Sequence, residues 1–372
     1  MENEFLGNNN FQISSQTVSA SCPSNIALIK YWGKYVDQIP ANPSISYTLN
    51  NCRTNTEMQF LANEPFSVQT FLAAKEEPKF DEKIGKYFKN IEKYLPWILQ
   101  GKYIIRTENS FPHSSGIASS ASGFGAIAKC LMELDSLFEN KEQREKKKEL
   151  TTNKQQPTTK KASFLARLGS GSACRSLYNG LVVWGETPVV EGSSDLFAVK
   201  YPDEEIHPIF KNFNDWVLLI HEGEKSVSST VGHGLMNTNP YAERRFQEAR
   251  DNFFDLKDIL KTGDLQKFIT LVEHEALTLH AMMMMSEPAF ILMKTGTLEV
   301  ISKLWKFREE TGLPLFFTLD AGANVHLLFP GSEVNCHGEP ADASVEKIKS
   351  FIEKELLQHT QNGGVVKDEM IF

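Results

Sequence analysis

The sequence predicts an α+β fold of two domains, with antiparallel sheets and packed helices. Strand-like and helical segments alternate without the strict strand–helix–strand order of a doubly wound parallel sheet. The 372 residues exceed the usual size of one domain. A stretch at 187–210, rich in Pro, Ser and Asp, breaks the patterning near the middle and marks the junction. These observations predict a loose arm at 1–15, a first domain at 16–195 and a second at 205–372.

The elements follow in order. Residues 1–15 are polar and Asn-rich. Strand texture begins at 17–21 and returns at 45–49 and 103–106. Ile84, Phe88, Ile91, Leu95 and Ile98 recur at helical spacing, which predicts an amphipathic helix over 82–98. Residues 123–138 predict a buried helix, with Phe124, Ile127, Leu131 and Leu134 on one face. At 141–161, eight lysines and arginines stand against three glutamates, which predicts a solvated helix end running into a loop. Residues 180–186 predict a strand. In the second half, strands are predicted at 216–221, 314–319 and 325–329. Helices are predicted at 241–260, 265–285, 297–311 and 343–357.

Composition narrows the function classes. A chain of this length buries about three quarters of its unfolded surface and needs no covalent staples. Five cysteines without paired short spacings fit a reducing cytoplasm better than a disulfide scaffold. No uncharged apolar run approaches membrane-spanning length. A net charge of −8 argues against nucleic acid as a partner but leaves room for a local cationic pocket.

Some motifs fail on geometry. His274-Glu275 and His280 resemble a zinc motif, but histidines six apart face opposite sides of a helix. Residues 123–128 match a dinucleotide fingerprint loosely, yet they follow a Ser-rich loop rather than a strand. No Walker-type phosphate loop occurs. Met282 to Met285 reads as flexible core filler or a groove wall.

Four stretches hold. The run from Pro112 through Ser114, Ser115, Gly116, Ala118, Ser119, Ser120 and Ala121 opens into a helix. Small residues there let backbone N–H groups approach phosphate, and the serines add hydroxyls; an ordinary Ser/Gly loop with a serine N-cap is the plainer reading. At 24–34 an apolar strand ends in Lys30-Tyr31-Trp32-Gly33-Lys34, either an anion site or a strand end with snorkelling lysines. Ser170-Gly171-Ser172-Ala173-Cys174-Arg175 is a second small-residue loop, with an arginine able to grip a carboxylate or phosphate. Asp320, after an apolar strand and before a glycine turn, is either a cleft acid or an Asx-turn residue. Two phosphate-handling loops, two or three cations and one carboxylate suit a phosphotransferase acting on a small anionic acceptor.

The first loop resembles the phosphate-loop signature of the galactokinase, homoserine kinase, mevalonate kinase and phosphomevalonate kinase superfamily. Together with N-I-A-L-I-K-Y-W-G-K, G-S-G-S-A-C-R-S-L-Y-N-G, L-D-A-G-A-N and K-S-V-S-S-T, it resembles the diphosphomevalonate decarboxylase family from about residue 19 to 329. The resemblance implies a site in the interdomain cleft, ATP as co-substrate, Mg²⁺ (with Ser120 as its candidate ligand) and a homodimer.

It further implies that mevalonate 5-diphosphate becomes isopentenyl diphosphate, with Tyr31 to Lys34, Ser170 to Arg175 and Thr230 binding substrate. The 112–121 loop would cradle ATP, and Asp320, Lys30 and Arg175 would serve the chemistry. The family's substrate-binding arginine in the first half has no counterpart here, and Lys83 is the nearest cation. A relative acting on mevalonate 5-phosphate, a 3-hydroxyl kinase and a non-catalytic homologue are the alternatives.

Overall fold

The computed structural model describes residues 2–112, 117–139, 155–223, 226–331 and 341–371. In the first half lie β1 (Gln16–Ile29), β2 (Ser44–Ala62), β3 (Ser67–Leu72), β4 (Lys75–Glu76), α1 (Pro78–Ile91) and β5 (Gly101–Asn109). They are followed by α2 (Ser119–Phe138), α3 (Gln155–Gly169), a 3₁₀ helix (Gly171–Leu177), β6 (Leu181–Trp184) and β7 (Ala198–Lys200). The second half holds β8 (Asn212–Leu218), α4 (Ser229–Leu235), α5 (Ala242–Thr262), α6 (Leu265–Met284) and α7 (Thr295–Thr311). It ends with β9 (Phe316–Thr318), β10 (Val325–Pro330), α8 (Ala341–Phe351) and β11 (Val365–Ile371).

Among the described residues the strands run β4-β3-β5-β2-β11-β8-β10-β9, with β1 and the β6–β7 pair also held by β2. Among the described strands only β3 with β5 is parallel; the expected antiparallel α+β architecture is what forms. α1, α2 and α3 bury Phe88, Ile91, Leu131, Leu134 and Leu165 against Met58, Tyr103 and Ile105. A second cluster runs through both halves, joining Leu28, Ile45 and Val183 to Phe253, Phe268 and Phe316. The 187–210 stretch is packed into it through Val190, Tyr201, Ile206 and Phe210.

Several sequence expectations are corrected. Residues 2–15 are not a loose arm. Phe5 is buried and stacks on Phe164 at 4.1 Å, and Gln12 donates its N–H to Phe138. The helix expected over 82–98 ends at Ile91. Pro96 disfavours helical backbone at Leu95, so Leu95 and Ile98 reach the core from a 3₁₀ turn and the turns after it. The basic stretch does not continue as a loop to Lys161. Helix α3 has begun by Gln155, and Lys160 and Lys161 pair with Glu4 and Asp135; residues 140–154 lie outside the described residues. Helix α8 stops at Phe351 and continues as a wider π turn to Leu356 rather than as α-helix to 357.

Among the described residues, the two parts of the sheet meet between β2 and β11 at one pair, Leu49 with Met370. Asp368 reinforces that seam. Its buried carboxylate accepts N–H bonds from Asn50, Asn51 and Cys52, the last at 2.7 Å. Asp368→Ala leaves the buried Cys52 N–H without a partner, which costs about 1–3 kcal/mol. The expected loss is about 2 kcal/mol in urea unfolding; an unchanged midpoint would show that the seam does not need the carboxylate.

Candidate active site

The floor of the site forms where β1 ends. The β1–β2 register shifts between Ala27 and Ile29, and such an irregularity re-aims the side chain that follows. Lys30 is 1% exposed; its Nζ donates to the Ala27 carbonyl at 2.6 Å and lies 3.5 Å from Asp320 Oδ1. Burial lowers the Lys30 pKa, opposed by the carboxylates of Asp320 and Glu275. Asp320 follows β9, and its side chain keeps 27% exposure at the cavity. The Lys30 N–H donates to Glu275 Oε2 at 2.9 Å, and His280 Nε2 lies 3.1 Å from the Asp320 carbonyl.

One wall comes from the 3₁₀ helix and the start of α2. Arg175 Nε meets Ser46 Oγ at 3.0 Å and Asn25 Oδ1 at 3.3 Å, its Nη1 meets Ser44, and its guanidinium lies 5.8 Å from the Trp184 ring. Its Nη2 has no protein partner among the described residues. Ala118, in left-handed backbone (φ 42°), turns the chain into α2, and Ser120 Oγ lies 3.4 Å from Ser170 Oγ. Gly171 has no room for a side chain, because a Cβ would sit 2.8 Å from Trp184 and the Tyr31 hydroxyl.

The opposite wall is aromatic. His233 packs 4.3 Å from the Tyr31 ring and 4.5 Å from the Trp32 ring. The Gly33 N–H donates to His233 Nδ1 at 3.0 Å. The Tyr31 hydroxyl and Trp32 Nε1 are buried without a protein partner among the described residues. Lys34 Nζ donates to Gln38 at 2.8 Å; burial lowers its pKa, and Lys83 lowers it further. Lys83 itself lies over the Phe124 ring at 5.0 Å.

These groups enclose a cavity of about 350 Å³. Among its described lining residues, Lys30, Lys34, Lys83 and Arg175 face the single carboxylate of Asp320. A protein of net charge −8 thus holds a locally cationic pocket. A larger hollow of about 720 Å³ lies on the outer sheet face, but it balances Glu57 and Glu108 with Arg106 only. Without buried charge or convergent donors, it is the weaker candidate.

The structure brings together at this cavity Lys30, Tyr31, Trp32, Lys34, Ala118, Ser119, Ser120, Ser170, Gly171, Ser172, Arg175, Thr230 and Asp320. Five expected positions among the described residues do not line it. Gly33 spends its N–H on His233, and a Cβ there would strike the Phe246 ring. Ala121 is fully buried and donates its N–H to Ala118, while Ala173 and Cys174 turn into the core. Pro112 is exposed and outside the lining. Ser114, Ser115 and Gly116 lie outside the described residues. Gln38, His233 and Leu279 also line the cavity and lie outside the motifs, while Asn25, Ser228 and Ser229 line it from within two motifs without having been picked as site residues. The rejected zinc pattern stays rejected: His274 turns outward to Glu248, and His280 turns inward.

Comparison with known proteins matches this arrangement in both halves. Residues 22–195 match the family model of the diphosphomevalonate decarboxylase-like N-terminal domain. Residues 216–362 match that of the mevalonate 5-diphosphate decarboxylase C-terminal domain. A diphosphomevalonate decarboxylase of Saccharomyces cerevisiae is 29% identical over 329 residues, 84% of this chain and 78% of that protein. The mevalonate diphosphate decarboxylase structure from Staphylococcus aureus superposes with a TM-score of 0.75 at 27% identity, covering 96% of each chain. MDDEF, solved in complex with MVAPP, AMPPCP and magnesium, superposes with a TM-score of 0.75 at 26% identity, covering 95% of this chain and 97% of that one. The chain belongs to the diphosphomevalonate decarboxylase family.

Proposed function

We propose that the chain performs its family's reaction, the ATP-dependent conversion of mevalonate 5-diphosphate to isopentenyl diphosphate, ADP, phosphate and CO₂. The buried contact between Lys30 and Asp320, on the floor of a cavity with three further cations, carries this reading. The complex of MDDEF with MVAPP, AMPPCP and magnesium supports it. The tertiary hydroxyl oxygen forms a bond to the γ-phosphorus as the bond from that phosphorus to ADP breaks, and the hydroxyl proton is lost. The bond from the tertiary carbon to that oxygen then breaks, with the departing phosphate taking the electron pair. The bond to the carboxylate carbon breaks as well, and its pair becomes the double bond as CO₂ leaves.

Asp320 orients the hydroxyl and faces the positive charge that grows at the reacting carbon. Lys30 holds the carboxylate in place and adds positive charge near the transferring phosphoryl group. Arg175 has Nη2 to offer the substrate carboxylate, and it acts by positioning. The diphosphate falls to Lys34, Lys83, Thr230 and the Ser170 loop, with the Tyr31 and Trp32 donors beside them. The start of α2 takes the nucleotide phosphates through Ser119 and Ser120.

No cluster of three His, Cys, Asp or Glu exists among the described residues. The serine hydroxyls at the start of α2 are hard oxygen donors of the kind that suit Mg²⁺, which is held largely by phosphates and water with few protein ligands. Ser120 would offer its hydroxyl to Mg²⁺, which would neutralise charge on the nucleotide phosphates. We place the first domain at 16–195 and the second at 205–372, and the protein in the cytoplasm as a homodimer. Its four described cysteines are free and buried.

His233 belongs to this site as a neutral donor. Because Nδ1 accepts from Gly33, the proton sits on Nε2, which has no protein partner among the described residues. Burial pushes its pKa down to about 3, with Lys34 adding to the shift. The unfolded chain binds a proton below the ordinary histidine pKa where the folded chain does not, so stability falls as pH falls from about 6.5 toward 3.

The reaction is tested by incubating the protein with ATP, Mg²⁺ and each mevalonate phosphate while measuring CO₂, phosphate and ADP. Stoichiometric release from the diphosphate is expected; ADP without CO₂, or preference for the monophosphate, would replace the reading. Asp320→Asn should lower turnover by about 10²–10⁴-fold with little change in diphosphate binding. Near-parental CO₂ release by the folded variant would remove Asp320 from the mechanism. Arg175→Lys keeps charge but loses the planar fork, and should raise KM for the substrate by at least about tenfold. His233→Met should abolish about 1.5 kcal/mol of the stability lost between pH 6.5 and 5, read as urea midpoints. An equal acid loss in both proteins would show that His233 is not the group responsible.

A further inference from the structure

Lys30 and Asp320 sit at the ends of strands from different halves of the chain, yet one helix touches both. Glu275 on α6 is fully buried. Its carboxylate accepts the Lys30 backbone N–H at 2.9 Å and is itself fixed by both terminal nitrogens of Arg245 and by Asn252. Five residues on, His280 is 2% exposed, and its Nε2 lies 3.1 Å from the Asp320 carbonyl. That carbonyl also accepts the Gly322 N–H at 2.7 Å. Between them Leu279 lines the cavity wall.

We propose that α6 is the positioning element of the Lys30–Asp320 pair, with Glu275 holding the Lys30 backbone and His280 holding the Asp320 backbone. The two contacts are about 7.5 Å apart along one rigid helix axis. The spacing of ammonium and carboxylate is therefore set by α6 rather than by two strand ends that belong to separate parts of the sheet. Glu275 also acts on charge, because it favours the ammonium form of the buried lysine. Neither residue touches the reacting atoms. The inference rests on the proposed reaction only in assigning the pair its work.

The test uses His280→Phe, which fills the site without a donor, and His280→Gln, which restores an N–H donor. In the parent enzyme, turnover of mevalonate 5-diphosphate is measured first, so that failure of the reaction itself is seen separately. His280→Phe is expected to lower kcat by about 10²-fold with KM for both substrates nearly unchanged, the signature of a misplaced catalytic pair. His280→Gln should recover most of the loss at an equal melting temperature. The double variant Glu275→Gln/Arg245→Met removes the buried charges together and should show the same split. Crystal structures of parent and His280→Phe read the spacing with or without turnover, and the 3.5 Å contact should lengthen in the variant. Parental kcat in folded His280→Phe, no rescue by glutamine, or an unchanged spacing would each overturn the proposal.

Discussion

An ammonium taken out of water loses several kcal/mol of solvation unless charges and dipoles replace it. Lys30 is such a group, and its replacements come from both halves of the protein. Its own strand supplies the Ala27 carbonyl, the loop after β9 supplies Asp320, and α6 supplies the field of Glu275. Separating the halves would strand the charge. The shared apolar cluster through Leu28, Phe268 and Phe316 draws the halves together without fixing direction, since dispersion and hydrophobic burial are non-directional. The ion contact and the Glu275 bond give that burial its alignment.

The cavity's charge follows from the same arrangement. Arg175 spends Nε and one hydrogen of Nη1 on Ser46, Asn25 and Ser44, which fixes the guanidinium plane before any ligand arrives. A lysine in its place would reach with one flexible donor and could not satisfy these acceptors at once. Such pre-ordering reduces the side-chain entropy lost when an anion binds. Four cations around one carboxylate repel one another, and burial lowers the pKa values of Lys30, Lys34 and Lys83. A polyanionic ligand relieves both the repulsion and the lost solvation.

The sequence made several strands, most of the longer helices and the four loop motifs around the cavity legible, because each is a local pattern; β3, β4, β7, β11 and α3 were not foreseen. Apolar strand texture showed parts of β1 and β10, helical spacing showed α2, and small-residue runs showed the loops around Ser120 and Ser170. Motifs are contiguous, however, and structure is not. In the 3₁₀ turn after Ser170, Ser172 and Arg175 face the cavity while Ala173 and Cys174 face the core. Helix α1 was overextended because its apolar face continues past Pro96 in another conformation. His233, Glu275 and His280 were not legible as site residues. Their partners lie far along the chain, as Glu275 lies 245 residues from Lys30, and no spacing rule joins such positions.

The aromatic wall shows why Gly33 stands between Trp32 and Lys34. Its φ of 108° is a left-handed conformation that a side chain would strain, and a Cβ would overlap the Phe246 ring at 2.6 Å. That turn aims the Gly33 N–H at His233 Nδ1, which places the imidazole proton on Nε2. The ring then packs against Tyr31 and Trp32, whose hydroxyl and indole N–H are left without protein partners among the described residues. A buried donor without an acceptor costs about 1–3 kcal/mol. Two adjacent donors on the aromatic wall are in that position among the described residues, beside the cations of the cavity. One backbone conformation at Gly33 thereby sets the tautomer of a histidine and the donor character of the wall beside it.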